Sequence, residues 1–133
     1  MGDSVHIHEV GLRDGLQNEP AFVPTDEKIR LADMLAEAGL RRLEITSFVS
    51  PRWIPQLADH MLVAEGVNRR PDVRYSALVP NRRGLEGARA TRMPEIAVFL
   101  SATAAHSKKN INKSIDEAVR TLGAVTRAAL QDG

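Results

Sequence analysis

Short apolar runs alternate with longer amphipathic stretches along this chain, and that alternation constrains the fold more than any other feature. The runs span residues 5–10, 41–46, 73–79 and 96–100. A stretch with helical spacing of apolar side chains follows each run, after a long polar loop in the case of the fourth. Strands that alternate with helices normally pair in parallel, because each helix carries the chain back across one face of the sheet. The pattern predicts an α/β fold of four consecutive β–α units around a parallel sheet.

The amphipathic stretches carry the signals that begin and end helices. Thr25 is expected to cap the first helix, because its hydroxyl can accept a backbone N–H, and Gly39 is expected to end it. Further helices are predicted over residues 56–65 and 84–90. The last helix is predicted to begin at Ser114, where the sequence Ser-Ile-Asp-Glu has the form of a capping box.

At 133 residues, the chain has about half of the roughly 250 residues of a complete eight-stranded barrel. Four β–α units can form half of such a barrel or a small open sheet, and spacing alone leaves both open. No linker or low-complexity stretch divides residues 1–133, so we interpret them as one partial domain. Unpaired strand edges in a half-barrel predict self-association, a separate second half, or a longer protein whose C-terminal half is missing here.

Charge and composition argue against several classes of function. The net charge is +1 and the basic residues are scattered, so we expect neither a nucleic-acid partner nor a membrane surface. The absence of cysteine excludes disulfides, thiolate zinc sites and cysteine nucleophiles within this chain. We see no signal peptide and expect a cytoplasmic protein, or one of the mitochondrial matrix if a transit peptide has been removed.

Side chains suited to catalysis lie at the ends of the predicted strands. Arg13 and Asp14 follow the first strand, Glu44 lies in the second, and the loop after the fourth holds Lys109 and Asn110. Because the C-terminal ends of parallel strands meet at one edge, we expect these side chains to be neighbours. The aspartate can hold a hard divalent cation, while the arginine can clamp a carboxylate or stabilise an enolate oxygen. Glu44 can orient Arg13 through a paired hydrogen bond.

An isolated Arg-Asp-Gly string is more often a surface turn than a functional site. Three strings that occur together, in the order found in one protein family, make a functional site the better interpretation. Residues 11–19 (GLRDGLQNE), 44–51 (EITSFVSP) and 108–112 (KKNIN) resemble segments of the 3-hydroxy-3-methylglutaryl-CoA lyase family, and the resemblance runs from about Val5 to the end of the chain. It implies the first half of a TIM (β/α)8 barrel. It also implies a carbon–carbon lyase that cleaves 3-hydroxy-3-methylglutaryl-CoA to acetyl-CoA and acetoacetate, in leucine catabolism and ketone body formation.

The resemblance implies roles for individual residues. Asp14 matches a ligand of Mg²⁺ or Mn²⁺, and Arg13 matches the arginine that steadies the enolate of the departing acetyl-CoA. Glu44 matches the acidic residue that supports that arginine, and Gln17 matches a glutamine beside the active site. The string that contains Lys109 and Asn110 matches the loop that meets the coenzyme A part of an acyl-CoA substrate.

The family completes its metal site with a His-x-His pair and an asparagine, and it uses a cysteine on a mobile glycine-rich loop. None of these matches a position in residues 1–133, so we expect the remaining ligands outside this chain. A cation held by one carboxylate binds weakly, and we therefore expect little or no activity from the chain alone. Two alternatives stay open: a related acyl-CoA lyase or Claisen condensing enzyme, such as citramalyl-CoA lyase, and a non-catalytic half-barrel binding module.

Histidine and tryptophan side chains elsewhere receive structural interpretations. His6 and His8 share one face of the first predicted strand, but they lie upstream of the Arg-Asp-Gly string. We interpret them as a packed or surface pair rather than as metal ligands. His60 is expected on a helix surface, and Trp53 is expected to anchor its loop to the rim of the barrel.

Overall fold

The computed structural model of the chain describes residues 2–132. After a π-helical turn at Gly11–Gly15, the regular elements follow in the order helix α1 (Thr25–Glu37), strand β1 (Arg42–Ser47), helix α2 (His60–Gly66), strand β2 (Arg74–Leu78), helix α3 (Arg82–Ala90), strand β3 (Glu95–Ala97), helix α4 (Ala104–Ile111) and helix α5 (Ile115–Gln131). A turn of 3₁₀ helix, Pro55–Leu57, leads into α2. Among the described residues, every helix is too short or too polar to span a bilayer.

Strands β1, β2 and β3 lie side by side in that order, and both pairings are parallel. This confirms the predicted α/β architecture, in which a helix separates each strand from the next along the chain. The sheet is open, because β1 and β3 are its two outer strands within the described part of the chain. The structure therefore has the form of a partial barrel.

The predicted first strand, residues 5–10, is reduced to a single parallel bridge between Glu9 and Leu43 of β1. Two backbone hydrogen bonds of 2.9 Å, one from the N–H and one to the carbonyl of Glu9, join it to that strand. The prediction of a full strand is wrong. The side chains of Val5 and Ile7, whose alternation indicated a strand, are 87% and 66% exposed, so no burial holds them in a register.

The fourth predicted strand, residues 96–100, is also shorter than expected. β3 ends at Ala97, and the apolar side chains of Val98, Phe99 and Leu100 continue as exposed chain. Apolar side chains therefore lie exposed at both edges of the sheet. This is what a partial barrel leaves where the neighbouring strands of a complete barrel would pack.

Two clusters of buried apolar side chains hold the helices against the sheet. The first joins the π-helical turn, α1, α2 and the sheet through Leu12, Ala32, Ala36, Leu43, Ile45, Val63, Val67, Val73 and Tyr75. The second joins α2, α3, α5 and the sheet through Phe48, Ala64, Ala77, Val79, Leu85, Ala88 and Val125. The turn that carries the Arg-Asp-Gly string is thus anchored in the core by its own leucine.

The ends of α1 follow the sequence signals only in part. Pro24, and not Thr25, is the N-cap residue, and the Thr25 hydroxyl donates instead to Asp59 Oδ2 at 2.7 Å. Gly39 ends the helix as predicted, with a φ of +100° that favours glycine. Its N–H and that of Leu40 donate back into the last turn at 3.1 and 3.2 Å, which is the Schellman pattern.

The segment after β3, predicted as a long polar loop, contains helix α4. Thr103 Oγ1 caps this helix by accepting the N–H of His106 at 3.4 Å, and Asn112 ends it in the left-handed conformation with a φ of 52°. The prediction failed because α4 buries little apolar surface and so shows no clear hydrophobic period.

The capping box predicted at the start of α5 is present. Ser114 Oγ accepts the Glu117 N–H at 3.2 Å, and Glu117 Oε2 accepts the Ser114 N–H at 2.8 Å. The pKa of the Glu117 carboxyl is lowered chiefly because the Ser114 backbone N–H donates to its charged form. The helices predicted over residues 56–65 and 84–90 are observed as the 3₁₀ turn with α2 and as α3, with shifted ends.

Helix α3 lies close against the chain that leaves β1, because two glycines face that chain. A Cβ added at Gly84 would lie 2.9 Å from Phe48 O, and one added at Gly87 would lie 2.7 Å from Phe48 Cδ1. The Phe48 ring fills this space and meets His60 edge-on, with ring centroids 5.3 Å apart. Glycine is required here for the close approach of the two segments.

We expect Gly84→Ala to lower the free energy of unfolding by about 1 kcal/mol or more, because the new methyl group meets a backbone oxygen that cannot move freely. Gly123→Ala is the matched control. It lies within α5 with only the flexible end of Arg127 nearby, at 3.4 Å, and should gain about 1 kcal/mol from helix propensity. Urea unfolding of both variants measures the difference, and equal changes at the two sites would contradict the packing argument.

Candidate functional site

The Arg-Asp-Gly string forms a tight π-helical turn directly after Glu9. The Val10 carbonyl accepts three consecutive N–H groups, those of Arg13, Asp14 and Gly15, at 3.1, 2.7 and 3.3 Å. Leu12 points into the core and is 1% exposed. The neighbouring Arg13 is therefore directed back toward β1 rather than into solvent.

Arg13 is held by two carboxylates. Its Nε donates to Glu44 Oε1 on β1, and its Nη1 donates to Asp14 Oδ1 at 2.8 Å. The Arg13 and Glu44 side chains are largely buried, whereas that of Asp14 is 54% exposed. Within residues 2–132, Arg13 Nη2 has no hydrogen-bond acceptor. The structure thus brings together three of the predicted site residues and leaves one guanidinium nitrogen available to a ligand.

Asp14 is placed to hold a cation together with ligands from elsewhere. One oxygen of its carboxylate is bonded to Arg13, and the exposed side chain leaves the other open to solvent. One guanidinium between two carboxylates leaves a formal charge of −1 here, which favours a cation. No group of three or more His, Cys, Asp or Glu residues that could hold a metal occurs among residues 2–132. Asp14 therefore fits the role of one oxygen ligand, and this part of the chain does not form a complete metal site.

Gln17 and the residues that follow lie on the C-terminal side of the same turn. Gln17 is half-buried, and Asn18 Nδ2 donates to the Asp14 carbonyl at 2.7 Å, which closes the turn. Gln56 Nε2 then donates to the Glu19 carbonyl at 2.9 Å. The segment after the motif is thus fastened to the chain that leads into α2.

A buried ion pair that was not predicted from the sequence fastens α1 to the chain that leads into α2. Lys28 on α1 is 1% exposed, and its Nζ donates to Asp59 Oδ1 and to the Gln56 carbonyl, both at 2.6 Å. Lys28 Nζ also lies 4.3 Å from the centre of the Phe22 ring. The sequence signal that could have identified Lys28 is its helical spacing from Ala32, which places both side chains on the buried face of α1.

Two buried hydroxyls at the C-terminal end of β1 were also missed. Thr46 Oγ1 and Ser47 Oγ have no hydrogen-bond partner among the described residues. The register of β1 against β2 shifts between Glu44 and Thr46, just before these two hydroxyls. A Thr-Ser pair at the end of a buried strand is the sequence signal that could have identified them.

Lys109 and Asn110 lie on helix α4 and not in a loop, and both are exposed. The lysines of the last turn of α4 also have a structural role, since they face the negative end of the helix dipole. No hydrogen bond or ion pair between described residues connects Lys109 or Asn110 to Arg13 or Glu44. The structure therefore does not bring the two groups of predicted residues into contact.

The other singled-out side chains differ in their surroundings. His6 and His8 are exposed, and His8 Nε2 lies 3.4 Å from Ser76 Oγ. His60 is the first residue of α2 and is half-buried, with its ring edge-on to that of Phe48. Trp53 was expected to anchor its loop to the barrel rim, but it is 71% exposed.

A cleft of about 650 Å³ lies between chain segments that follow β1 and β2, and it was not foreseen from the sequence. It lies between the chain that leaves β1 and the start of α3, and its walls include Arg52, His60 and Arg83. The strings FVSPR and PNRRG, which follow β1 and β2 along the chain, are the signals that could have indicated it.

The comparisons with known proteins agree with this architecture. The family model named HMGL-like matches residues 4–133. The cytoplasmic 3-hydroxy-3-methylglutaryl-CoA lyase of Danio rerio is 51% identical over 129 residues, which are 97% of this chain and 38% of that protein. Other matching lyases are named as mitochondrial. The chain thus spans about two fifths of the length of the curated relatives it matches.

Solved structures of the same family have the same fold in this region. The chain is similar to the HMG-CoA lyase of Bacillus subtilis, with a TM-score of 0.94 and 49% identity over 96% of this chain and 43% of that one. It is also similar to an HMG-CoA lyase of Acinetobacter baumannii in complex with coenzyme A and 3-methylmalate. That match has a TM-score of 0.88 and 36% identity, over 92% of this chain and 40% of that one. The prediction of the first half of a TIM-barrel lyase fold is confirmed.

Removal of Arg13 would leave the carboxylate of Glu44 buried without its partner. We expect Arg13→Met to lower the free energy of unfolding by about 3 kcal/mol, and the double variant Arg13→Met/Glu44→Leu to lose less than that. A double-mutant cycle in urea measures the coupling. The exposed pair Arg30–Glu27, with 3.7 Å between Nη1 and Oε2, is the control and should couple by less than about 0.5 kcal/mol. A coupling at Arg13–Glu44 no larger than in this control would contradict the structural role of the pair.

Proposed function

Because this chain belongs to the HMGL-like family, we propose that it is the N-terminal part of a lyase that cleaves 3-hydroxy-3-methylglutaryl-CoA to acetyl-CoA and acetoacetate. The observation that carries the proposal is the Arg13–Glu44 pair. It holds the Arg13 guanidinium at the C-terminal edge of the sheet, and Nη2 of that group has no partner among the described residues. About 50% identity to curated lyases over nearly the whole chain supports it. Since the chain spans about two fifths of those proteins, the activity is proposed for the longer protein.

In the proposed reaction, the C3 hydroxyl loses its proton and the bond between C2 and C3 breaks. The electron pair of that bond moves onto the thioester and forms the enolate of acetyl-CoA, while C3 becomes the ketone carbon of acetoacetate. Protonation of C2 completes acetyl-CoA. Arg13 is proposed to stabilise the enolate oxygen through Nη2, and Glu44 keeps the guanidinium in place without any reorganisation during the reaction.

We propose that Asp14 contributes one oxygen ligand to Mg²⁺ or Mn²⁺, with the remaining ligands from outside this chain. When bound, such a cation makes the substrate hydroxyl easier to deprotonate. Asp14 is suited to this role because its carboxylate is exposed and offers the oxygen ligand that a hard cation prefers. The contact with Arg13 also fixes the orientation of this carboxylate. Gln17 is proposed to line the substrate site beside this turn.

The acyl-CoA substrate would extend from Arg13 across the C-terminal edge of the sheet. Lys109 and Asn110 on α4 remain proposed contacts of coenzyme A, now presented by a helix rather than a loop. We also retain the prediction that the exposed edges of the sheet are covered, by self-association or by a second half. A cytoplasmic or mitochondrial location, with a role in leucine catabolism and ketone body formation, belongs to the same proposal.

A second candidate is a related acyl-CoA lyase or Claisen condensing enzyme. The similar lyase of Acinetobacter baumannii was solved with coenzyme A and 3-methylmalate, so a related fold accepts a methyl-substituted hydroxy acid. Arg13, Asp14 and Glu44 would serve such a substrate in the same manner, since each reaction passes through an enolate of a thioester.

The function is tested with a chimera in which this chain replaces the matching N-terminal part of the Bacillus subtilis lyase, to which it is 50% identical over 125 residues. We expect cleavage of 3-hydroxy-3-methylglutaryl-CoA in preference to citramalyl-CoA, measured by a coupled assay. Arg13→Gln in the chimera should lower kcat by about 10²-fold or more with a smaller effect on KM, because the lost interaction acts mainly in the transition state. A raised KM with unchanged kcat would show that Arg13 only binds substrate.

The 133-residue chain alone should show little or no turnover. No group of three or more His, Cys, Asp or Glu residues that could hold a metal occurs within residues 2–132, and Mg²⁺ held by the Asp14 carboxylate alone binds weakly. A steady-state assay with saturating Mg²⁺ or Mn²⁺ measures this, with the chimera as the positive control. Turnover by the isolated chain at a rate near that of the chimera would overturn the view that its site is incomplete.

A further inference from the structure

The Arg-Asp-Gly turn is held by different groups at its beginning and at its end. At the beginning, the turn buries its leucine, and Arg13 Nε donates to Glu44 on β1. The end of the turn has no such anchor, because the side chains of residues 18–22 are all exposed. Among residues 2–132, one hydrogen bond connects residues 18–22 to another segment, and Gln56 Nε2 donates it to the Glu19 carbonyl at 2.9 Å. The position of this end therefore depends on Gln56.

Gln56 reaches the turn from a rigid position. It is the middle residue of the 3₁₀ turn that leads into α2, and its neighbour Leu57 is 2% exposed. Its main-chain carbonyl accepts a hydrogen bond of 2.6 Å from Lys28 Nζ, which also donates to Asp59 Oδ1 at 2.6 Å. Lys28 is 1% exposed, and breaking a buried ion pair is costly. The backbone of Gln56 is thus held in place, and its side chain transmits that position to Glu19.

Two proposed site residues depend on the end of the turn. Gln17 lies shortly before Glu19 along the chain, and Asn18 Nδ2 donates to the Asp14 carbonyl at 2.7 Å. The Asp14 side chain is 54% exposed and contacts Arg13 at 2.8 Å, so burial does not hold it in place. Exposed segments with few buried contacts open readily unless hydrogen bonds close them. The position of Asp14 therefore depends on Arg13 from one side and, through Asn18, on the end of the turn.

We propose that Gln56 is a positioning residue of the lyase, whose side chain fixes the end of the Arg-Asp-Gly turn and thereby the orientation of Gln17 and Asp14. In this role it acts through Glu19 and does not touch the substrate. The inference rests on the proposed lyase function for its effect on catalysis, and it adds a residue from a distant segment to that function. A misplacement of about 1 Å can lower a rate by about 10²-fold, so one hydrogen bond at the end of the turn has a measurable effect.

Three substitutions of Gln56 separate the donated hydrogen bond from the volume of the side chain. Gln56→Leu removes the donor at similar size, and Gln56→Glu replaces it with an acceptor that faces the Glu19 carbonyl. Gln56→Lys restores a donor to that carbonyl. In the chimera, we expect the first two to lower kcat by about tenfold with little change in KM, because orientation is lost and substrate binding is not. Gln56→Lys should recover most of that loss.

Thr25→Val is the matched control. The Thr25 hydroxyl donates to Asp59 Oδ2 at 2.7 Å, so this change removes one hydrogen bond from the same network on the side of α1. It leaves the donor of the bond between Gln56 and Glu19 unchanged. We expect Thr25→Val to keep the kcat of the unmodified chimera, even where urea unfolding shows the same loss of stability as in Gln56→Leu.

Two measurements report on the turn without turnover. Binding of Mn²⁺ to the chimera, followed by electron paramagnetic resonance, should weaken by about tenfold in Gln56→Leu and stay unchanged in Thr25→Val, since outer partners orient a metal ligand. Amide hydrogen exchange of the 133-residue chain reports on the three N–H groups that the Val10 carbonyl accepts. These groups should exchange faster in Gln56→Leu than in Thr25→Val.

Three results would overturn the assignment. Equal effects of Gln56→Leu and Thr25→Val on kcat and on amide exchange would reduce Gln56 to a contributor to stability. A raised KM with unchanged kcat in Gln56→Leu would make Gln56 a binding residue. A kcat of Gln56→Lys no higher than that of Gln56→Leu would show that the donated hydrogen bond has no role. Circular dichroism checks that each variant is folded, and Gln56→Glu repeats the comparison if Gln56→Leu unfolds.

The exchange measurement separates this inference from the proposed function. If the chimera cleaves no 3-hydroxy-3-methylglutaryl-CoA but the three N–H groups exchange faster in Gln56→Leu and not in Thr25→Val, the lyase proposal fails and Gln56 still positions the turn. If the chimera cleaves that substrate and Gln56→Leu changes neither kcat nor the Kd of Mn²⁺, the positioning role fails and the lyase proposal stands.

Discussion

Glu44 carries its carboxylate on a buried strand, and such a group is tolerated only when a cation pairs with it. Arg13 supplies that cation from a turn 31 residues earlier in the chain. The pairing fastens the Arg-Asp-Gly turn to β1, and through Arg13 it also sets the direction of the Asp14 carboxylate. The geometry of the candidate site therefore follows from the requirement to neutralise one buried charge.

A second buried ion pair, Lys28–Asp59, likewise fastens two segments of the chain to each other. Lys28 and Asp59 join α1 to the start of α2, and Gln56 bonds the segment that follows the motif. The first pair joins the Arg-Asp-Gly turn to β1, and the second joins α1 to the residue that precedes α2. The loops that would contact a ligand are thus held by charge and hydrogen bonds, while apolar burial positions the strands beneath them.

The open edges of the sheet account for the parts of the site that this chain lacks. The exposed apolar side chains near residues 5–7 and 98–100 lie where a closed barrel would continue on either side. Asp14 offers one metal ligand, and Arg13 offers one free nitrogen, both facing the same edge. A complete site in this fold draws side chains from strands around the whole barrel, so a partial barrel holds only some of them.

The sequence by itself determined the order of β–α units, the stop at Gly39, the capping box at Ser114 and the approach of Arg13 to Glu44. These depend on neighbours within one helical turn, or on the rule that parallel strands end at one edge.

Only the tertiary structure decided that residues 5–8 form no strand, that Lys109 lies on a helix, that Lys28 is buried and that a cleft adjoins α3. Each of these depends on which distant segment covers a side chain. Periodicity indicates which side chains share a face, as for Lys28 and Ala32, but it does not say what covers that face, because burial is a property of the packed layers.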